Sequence, residues 1–182
     1  MSTTAMDPRQ DREAIAALIH CYARANDTIG DATTNADPVA AALPLYRECL
    51  ADDVEIQAWF PHLPVSAQAF PDPARYPDTA PAVYRGREAW ARHVNEVFRA
   101  RGCSFTQHAI SNVEVTVEGD RGRLTAYLIA TLVSSGRAVG DPSKSLSIAN
   151  GTYSVDAVRT QSGWRIRRMY VTLIAFNTLL QP

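Results

Sequence analysis

Thr106-Gln-His-Ala-Ile-Ser-Asn-Val-Glu-Val-Thr-Val117 is the stretch that decides the fold of this chain. It is rich in β-branched residues and is the first of four such runs, with 121–135, 151–160 and 164–176 following it. Turn chemistry at 118–122 and 161–163 and a longer segment at 136–150 separate them, which predicts an antiparallel meander. Side chains alternate across a pleat, so His108, Ile110, Asn112 and Glu114 are expected on one face, and Ala109, Ser111, Val113 and Val115 on the other.

Upstream of this run the period changes from strand to helix. Ile15, Leu18, Ile19, Tyr22 and Ala25 follow the i, i+3, i+4, i+7 rhythm behind a possible Asp11 cap. Residues 1–10 then read as a flexible tail and 11–182 as one domain. A Thr-, Asn- and Asp-rich stretch at 30–37 ends the first helix, and Asp37-Pro38 opens a second that runs to about Leu50. Pro44 predicts a kink there or a late start. Residues 54–59 read as a short strand. Gly86 precedes a third helix striped by Trp90, Val94, Val97 and Phe98, and Gly102 stops it. Helices followed by a meander define an α+β fold, with three helices packed on one face of a curved antiparallel sheet.

Residues 60–81 hold more than half of the chain's 11 prolines and cannot be regular. With Trp59 at its root and Phe60, Phe70 and Tyr76 within it, the segment reads as a lid over a binding site or as an irregular insertion.

The composition narrows the partners. At 182 residues and 46% apolar content the chain can bury one real core, and a net charge of −1 offers no footprint for nucleic acid. Three widely spaced cysteines without a CxxC argue against a disulfide framework and a structural zinc, and they fit a cytoplasmic location. Residues 1–12 lack an apolar signal-like core, and no stretch approaches the roughly 20 apolar residues of a membrane span.

For chemistry, His108 is the leading candidate, with Asp27 at the end of the first helix as its partner. A carboxylate that fixes an imidazole tautomer makes the other ring nitrogen a competent base. By pattern alone each has a plainer reading: His108 as a surface or satisfied core histidine, Asp27 as an exposed residue off the apolar stripe. Asp27 is also misplaced for the helix dipole, which an imidazole beside it would offset. Tyr22 lies in the core stripe and could present its hydroxyl to a substrate oxygen, with Asn112 as a second polar contact. Trp59, Phe60, Tyr76, Trp90, Phe98 and Tyr170 supply the lining for a hydrophobic or polycyclic small molecule. His20, His62 and His93 rank lower. No clustered ligand set points to a metal, and no Gly-rich phosphate motif or nucleophile elbow to another cofactor or mechanism, so none is expected.

Together, Ile15-Ala-Ala-Leu-Ile-His-Cys-Tyr-Ala-Arg-Ala-Asn-Asp27, Cys49-Leu-Ala-Asp-Asp-Val-Glu-Ile56, Tyr84-Arg-Gly-Arg-Glu-Ala-Trp90, His108-Ala-Ile-Ser-Asn112 and Gly163-Trp-Arg-Ile166 resemble, in order, the SnoaL-like branch of the nuclear transport factor 2-like superfamily. The resemblance implies a cone-shaped α+β barrel with an internal pocket and a homodimer or homotrimer. Among its His/Asp members are scytalone dehydratase, bile-acid 7α-dehydratase and hexachlorocyclohexane dehydrochlorinase; Asp27 and His108 match their catalytic pair, and Tyr22 the tyrosine of the bile-acid enzyme. It implies a cofactor-independent dehydratase-like lyase. An isomerase or polyketide cyclase with the same pocket, or a non-catalytic ligand-binding or structural subunit, are the alternatives. The ketosteroid isomerase branch carries an aspartate on the strand after the second helix, and Glu55-Ile-Gln-Ala-Trp59 has no match for it.

Overall fold

Asp7 caps the first helix. Its side chain accepts the Arg9 N–H at 3.0 Å and Pro8 fills the first turn, so α1 runs Pro8–Gly30. Residues 8–10 are thus helix and not tail, because the Asp7-Pro8 pair starts the helix ahead of Asp11. The computed structural model describes residues 7–31, 34–59, 82–134 and 145–180, except the side chains of Trp59 and of 178–180.

Asp37 caps α2 (Pro38–Cys49) by accepting the Ala40 N–H at 3.0 Å. The helix runs through Pro44, which is exposed; the missing donor costs one backbone bond without ending the helix. β1 (Leu50–Trp59) and a four-residue β2 (Ala82–Arg85) flank the proline-rich segment, which lies outside the described residues. Gly86, at φ 84°, turns the chain into α3 (Arg87–Ala100). The meander then follows as β3 (Cys103–Glu118), β4 (Arg121–Ser134), β5 (Ser145–Thr160) and β6 (Gly163–Leu180).

The six strands lie in the order β2-β1-β6-β5-β4-β3. Four pairings are antiparallel, but β1 runs parallel to β6, where the sequence suggested an antiparallel sheet throughout. A parallel pair needs a long crossover, and everything between the two strands supplies it. Because β2 and β3 end the order, the sheet is curved but unclosed, an open cone and not a sealed barrel.

The helices cover the concave face. Ile15, Ile19 and Tyr22 of α1, Tyr46 of α2 and Trp90 of α3 pack with Leu124, Tyr153, Ile166 and Met169 of the sheet. Two close approaches set the tilt of α1. Any Cβ at Gly122 would stand 2.4 Å from Ile15 Cδ1, and one at Gly30 would stand 1.9 Å from Thr106 Oγ1. Glycine at both places lets the helix lie directly on the sheet. Among the described residues, no helix is long and apolar enough to cross a membrane.

Candidate active site

With the last turn of α1 pressed onto β3, Asp27 meets three donors from that one strand. His108 Nδ1 lies 2.6 Å from Oδ1, the Thr106 hydroxyl donates to the same oxygen at 3.2 Å, and the His108 backbone N–H donates to Oδ2 at 3.1 Å. A carboxylate has no proton to give, so the short contact places a hydrogen on Nδ1, and in the neutral ring Nε2 is the nitrogen that carries the lone pair. The His108 side chain is 7% exposed and that of Asp27 28%.

The ring borders a cavity of about 100 Å³ between helices and sheet. Tyr22, Asn26, Trp90, His93 and Phe98 line the helical side, and Leu128, Ala130, Tyr153, Val171 and Phe176 are among those lining the sheet side. The wall is mainly apolar. On that wall Tyr22 is edge-on to Tyr153 with ring centroids 5.6 Å apart and stacked beside Trp90 at 6.3 Å. Burial pushes the Tyr22 hydroxyl well above its ordinary pKa, with Asn26 partly opposing, so it remains a proton-bearing donor at neutral pH. Tyr46, equally buried, donates its hydroxyl to Asn26 Oδ1 and ties α2 to the residue beside Asp27. The buried Trp90 indole N–H lies toward the Tyr22 and Tyr46 hydroxyls, without the alignment of a full hydrogen bond to either.

His93 stacks on Tyr84 with centroids 4.0 Å apart, and burial lowers its pKa against the pull of Glu96, which keeps it neutral near pH 7. At the rim, the Arg101 guanidinium lies 4.0 Å over the Phe176 ring. No group of three or more metal-ligating side chains occurs among the described residues.

The structure therefore brings Asp27, His108, Tyr22, Trp90 and Phe98 to one place. It does not bring Asn112 there. Between Ser111 and Glu114 the register of β3 slips, Asn112 adopts φ 51°, and its side chain is exposed. The bulge turns Val113, Val115 and Val117 to the inner side, so the strict alternation that paired Asn112 with His108 breaks after Ser111. Tyr170 is also off the cavity: it alternates with Met169 and Val171, which face inward. Phe60, Tyr76 and the Trp59 side chain lie outside the described residues.

Sequence reasoning missed Asn26, Tyr46, Tyr153, Thr106 and Phe176 and ranked His93 low. Asn26 and Thr106 carried a readable signal, since each is a polar residue within one or two positions of Asp27 or His108. The others enter only through packing.

An open α+β cone with a His–carboxylate pair in an apolar hollow defines the class, that of pocket-forming proteins built on this fold. The SnoaL-like domain family model matches residues 7–170, and the chain belongs to that family. Solved structures share the fold. The Kfla4162 protein from Kribbella flavida is 24% identical with a TM-score of 0.62, covering 94% of this chain and 95% of its own. An NTF2-like superfamily protein from Salmonella enterica serovar Typhimurium is 14% identical at a TM-score of 0.62, with 93% and 94% covered. A proposed scytalone dehydratase from Novosphingobium aromaticivorans is 14% identical at 0.56, with 91% and 85% covered. No curated protein matches the chain.

Proposed function

We propose that this protein is a dehydratase-like lyase acting on a hydrophobic small molecule. The single observation that carries the reading is the 2.6 Å contact between His108 Nδ1 and Asp27 Oδ1 at the edge of an apolar cavity. Asp27 holds the ring and offsets positive charge as it forms, while Nε2 removes a proton beside a leaving hydroxyl. Catalysis of this kind is worth roughly 10²–10⁴ in rate. Tyr22 donates to a carbonyl or hydroxyl of the substrate, and the neutral His93 is a second proton carrier on the cavity wall.

The cavity is smaller than the roughly 300–1,000 Å³ of drug-sized sites, which favours a substrate presenting about one ring to the base over a fully enclosed polycycle. The kinship with a proposed scytalone dehydratase supports elimination over isomerisation or cyclisation. A purely structural subunit would have no use for a bonded His–Asp pair in its pocket, and the pair supports the enzyme instead. A homodimer or homotrimer goes with the same reading, since Phe105 and Ile129 stand exposed on the outer sheet face; light scattering would count the protomers. So does a cytoplasmic location, where its three free thiols would persist.

The test is a mass-spectrometric screen of hydroxylated cyclic compounds for loss of water. His108→Ala and Asp27→Asn should each remove at least about 100-fold of the rate, with His108→Ala still folded by circular dichroism. Turnover at the wild-type rate in either variant would refute the assigned roles, and a product of unchanged mass would point to isomerisation.

A further inference from the structure

Cys21 and Cys49 take no part in the site, yet they converge on one atom. Cys21, near the middle of α1, donates its thiol to the Leu45 carbonyl oxygen at 3.3 Å, and Cys49, the last residue of α2, approaches the same oxygen at 3.4 Å. The two thiols reach the same oxygen and each perturbs the other, and both residues are buried where the two helices pack. Arg24 and Glu48 flank Cys21, and Arg165 and the two tyrosines Tyr22 and Tyr46 lie toward Cys49. The pairing is lost on the sequence, where the two are 28 positions apart and no CxxC exists.

We propose that Cys21 and Cys49 form an oxidant-sensitive thiol pair that closes to a disulfide between α1 and α2. The Cys21 thiol is the attacking partner. Its contact with Cys49, helped by Arg24 against burial and Glu48, pulls its pKa down to about 7, while the same contact pushes that of Cys49 up. With hydrogen peroxide, the Cys21 thiolate attacks and breaks the O–O bond, giving a sulfenic acid and hydroxide, which leaves as water. The Cys49 sulfur then displaces the sulfenic oxygen, forming the S–S bond and releasing a second water. The protein loses two electrons and two protons, which the peroxide takes up. The cross-link would pin together the helices that carry Tyr22, Asn26 and Tyr46, one residue from the cavity wall on α1.

Treating the purified chain with hydrogen peroxide or diamide and then counting thiols in denaturant tests this. The titratable thiols should fall from three to one, dithiothreitol should restore them, and peptide mapping should join Cys21 to Cys49. The oxidised form should melt on the order of 5 °C higher, because the closed loop restricts the unfolded chain. Cys21→Ser and Cys49→Ser should each abolish the cross-link, and Cys103→Ser should leave it intact. Where a serine variant fails to fold, alanine at the same position and alkylation mapping of the native chain make the same measurement. Three free thiols after oxidant, a bridge to Cys103, or oxygen added at Cys21 without a cross-link would each overturn the proposal.

Discussion

Asp27 shows how far one residue's role lies outside its local pattern. On the helix it falls off the apolar stripe, near a C-terminus whose dipole disfavours a negative charge by a few tenths of a kcal/mol. Three donors from β3 overcome that penalty, and they reach it only because Gly30, one turn on, has no side chain. Gly30→Ala would drive a methyl into the Thr106 hydroxyl that bonds Asp27. Overpacking of this kind costs about 1–3 kcal/mol, and the variant should melt lower and lose most of its turnover together, as thermal denaturation and the elimination assay would read. A variant of unchanged stability and rate would show that the helix end does not need this contact. Nothing in the sequence marks Gly30 as different from a helix-ending glycine, since the partner it touches is 76 positions away.

At the scale of elements, β3 carries the main surprise. Its first half obeys the alternation read from the sequence, and His108 faces in as expected. Past Ser111 an extra residue enters the ladder, and the phase reverses. Asn is among the few residues that accept a positive φ, and its place at 112 is explained by backbone geometry and not by substrate contact. Asn112→Gly should be tolerated within about 1 kcal/mol, while Asn112→Val should destabilise by roughly 1–2 kcal/mol, both with ligand binding and rate unchanged in the folded protein. A loss of affinity in Asn112→Gly without a loss of stability would return the residue to the site. The short β2 went unread because four residues give too little pattern, and β5 begins earlier than expected because residues 145–150 gain their strand character from pairing with β4 and β6.

Across the whole molecule, the far end of α1 is anchored as firmly as the end that carries Asp27. Asp11, buried, accepts Arg159 at 2.6 Å and the Trp164 indole N–H at 2.9 Å, and Arg159 also reaches Asp120 and stacks over Trp164. These bonds, Arg159 first, hold the Asp11 carboxyl below its ordinary 3.8, and Gln57, with Arg85 and Arg168, lowers Glu55 from 4.5. A carboxylate depressed in the folded state lends stability above its unfolded pKa and loses it as pH falls through the folded value. The melting temperature should therefore hold down to about pH 4.5 and fall below it. Asp11→Asn should melt lower at neutral pH and show a shallower acid limb; an acid limb as steep as that of the wild type would remove Asp11 from this account.

Local properties of the chain, hydrophobic period, capping residues and turn chemistry, were enough for the fold class and the order of helices and meander strands, whereas Asp27 and His108 were candidates with plainer readings until the resemblance singled them out as a pair. The resemblance supplied the family on the same grounds. Only the tertiary structure decided that Asp27 bonds three groups of one strand, that Asn112 turns away, that β1 lies parallel to β6, and that two distant thiols share one carbonyl. Those outcomes depend on where helices can settle on a twisted sheet, which is fixed by side chains absent at Gly30 and Gly122 and by a one-residue slip in a ladder, neither of which has a period to read.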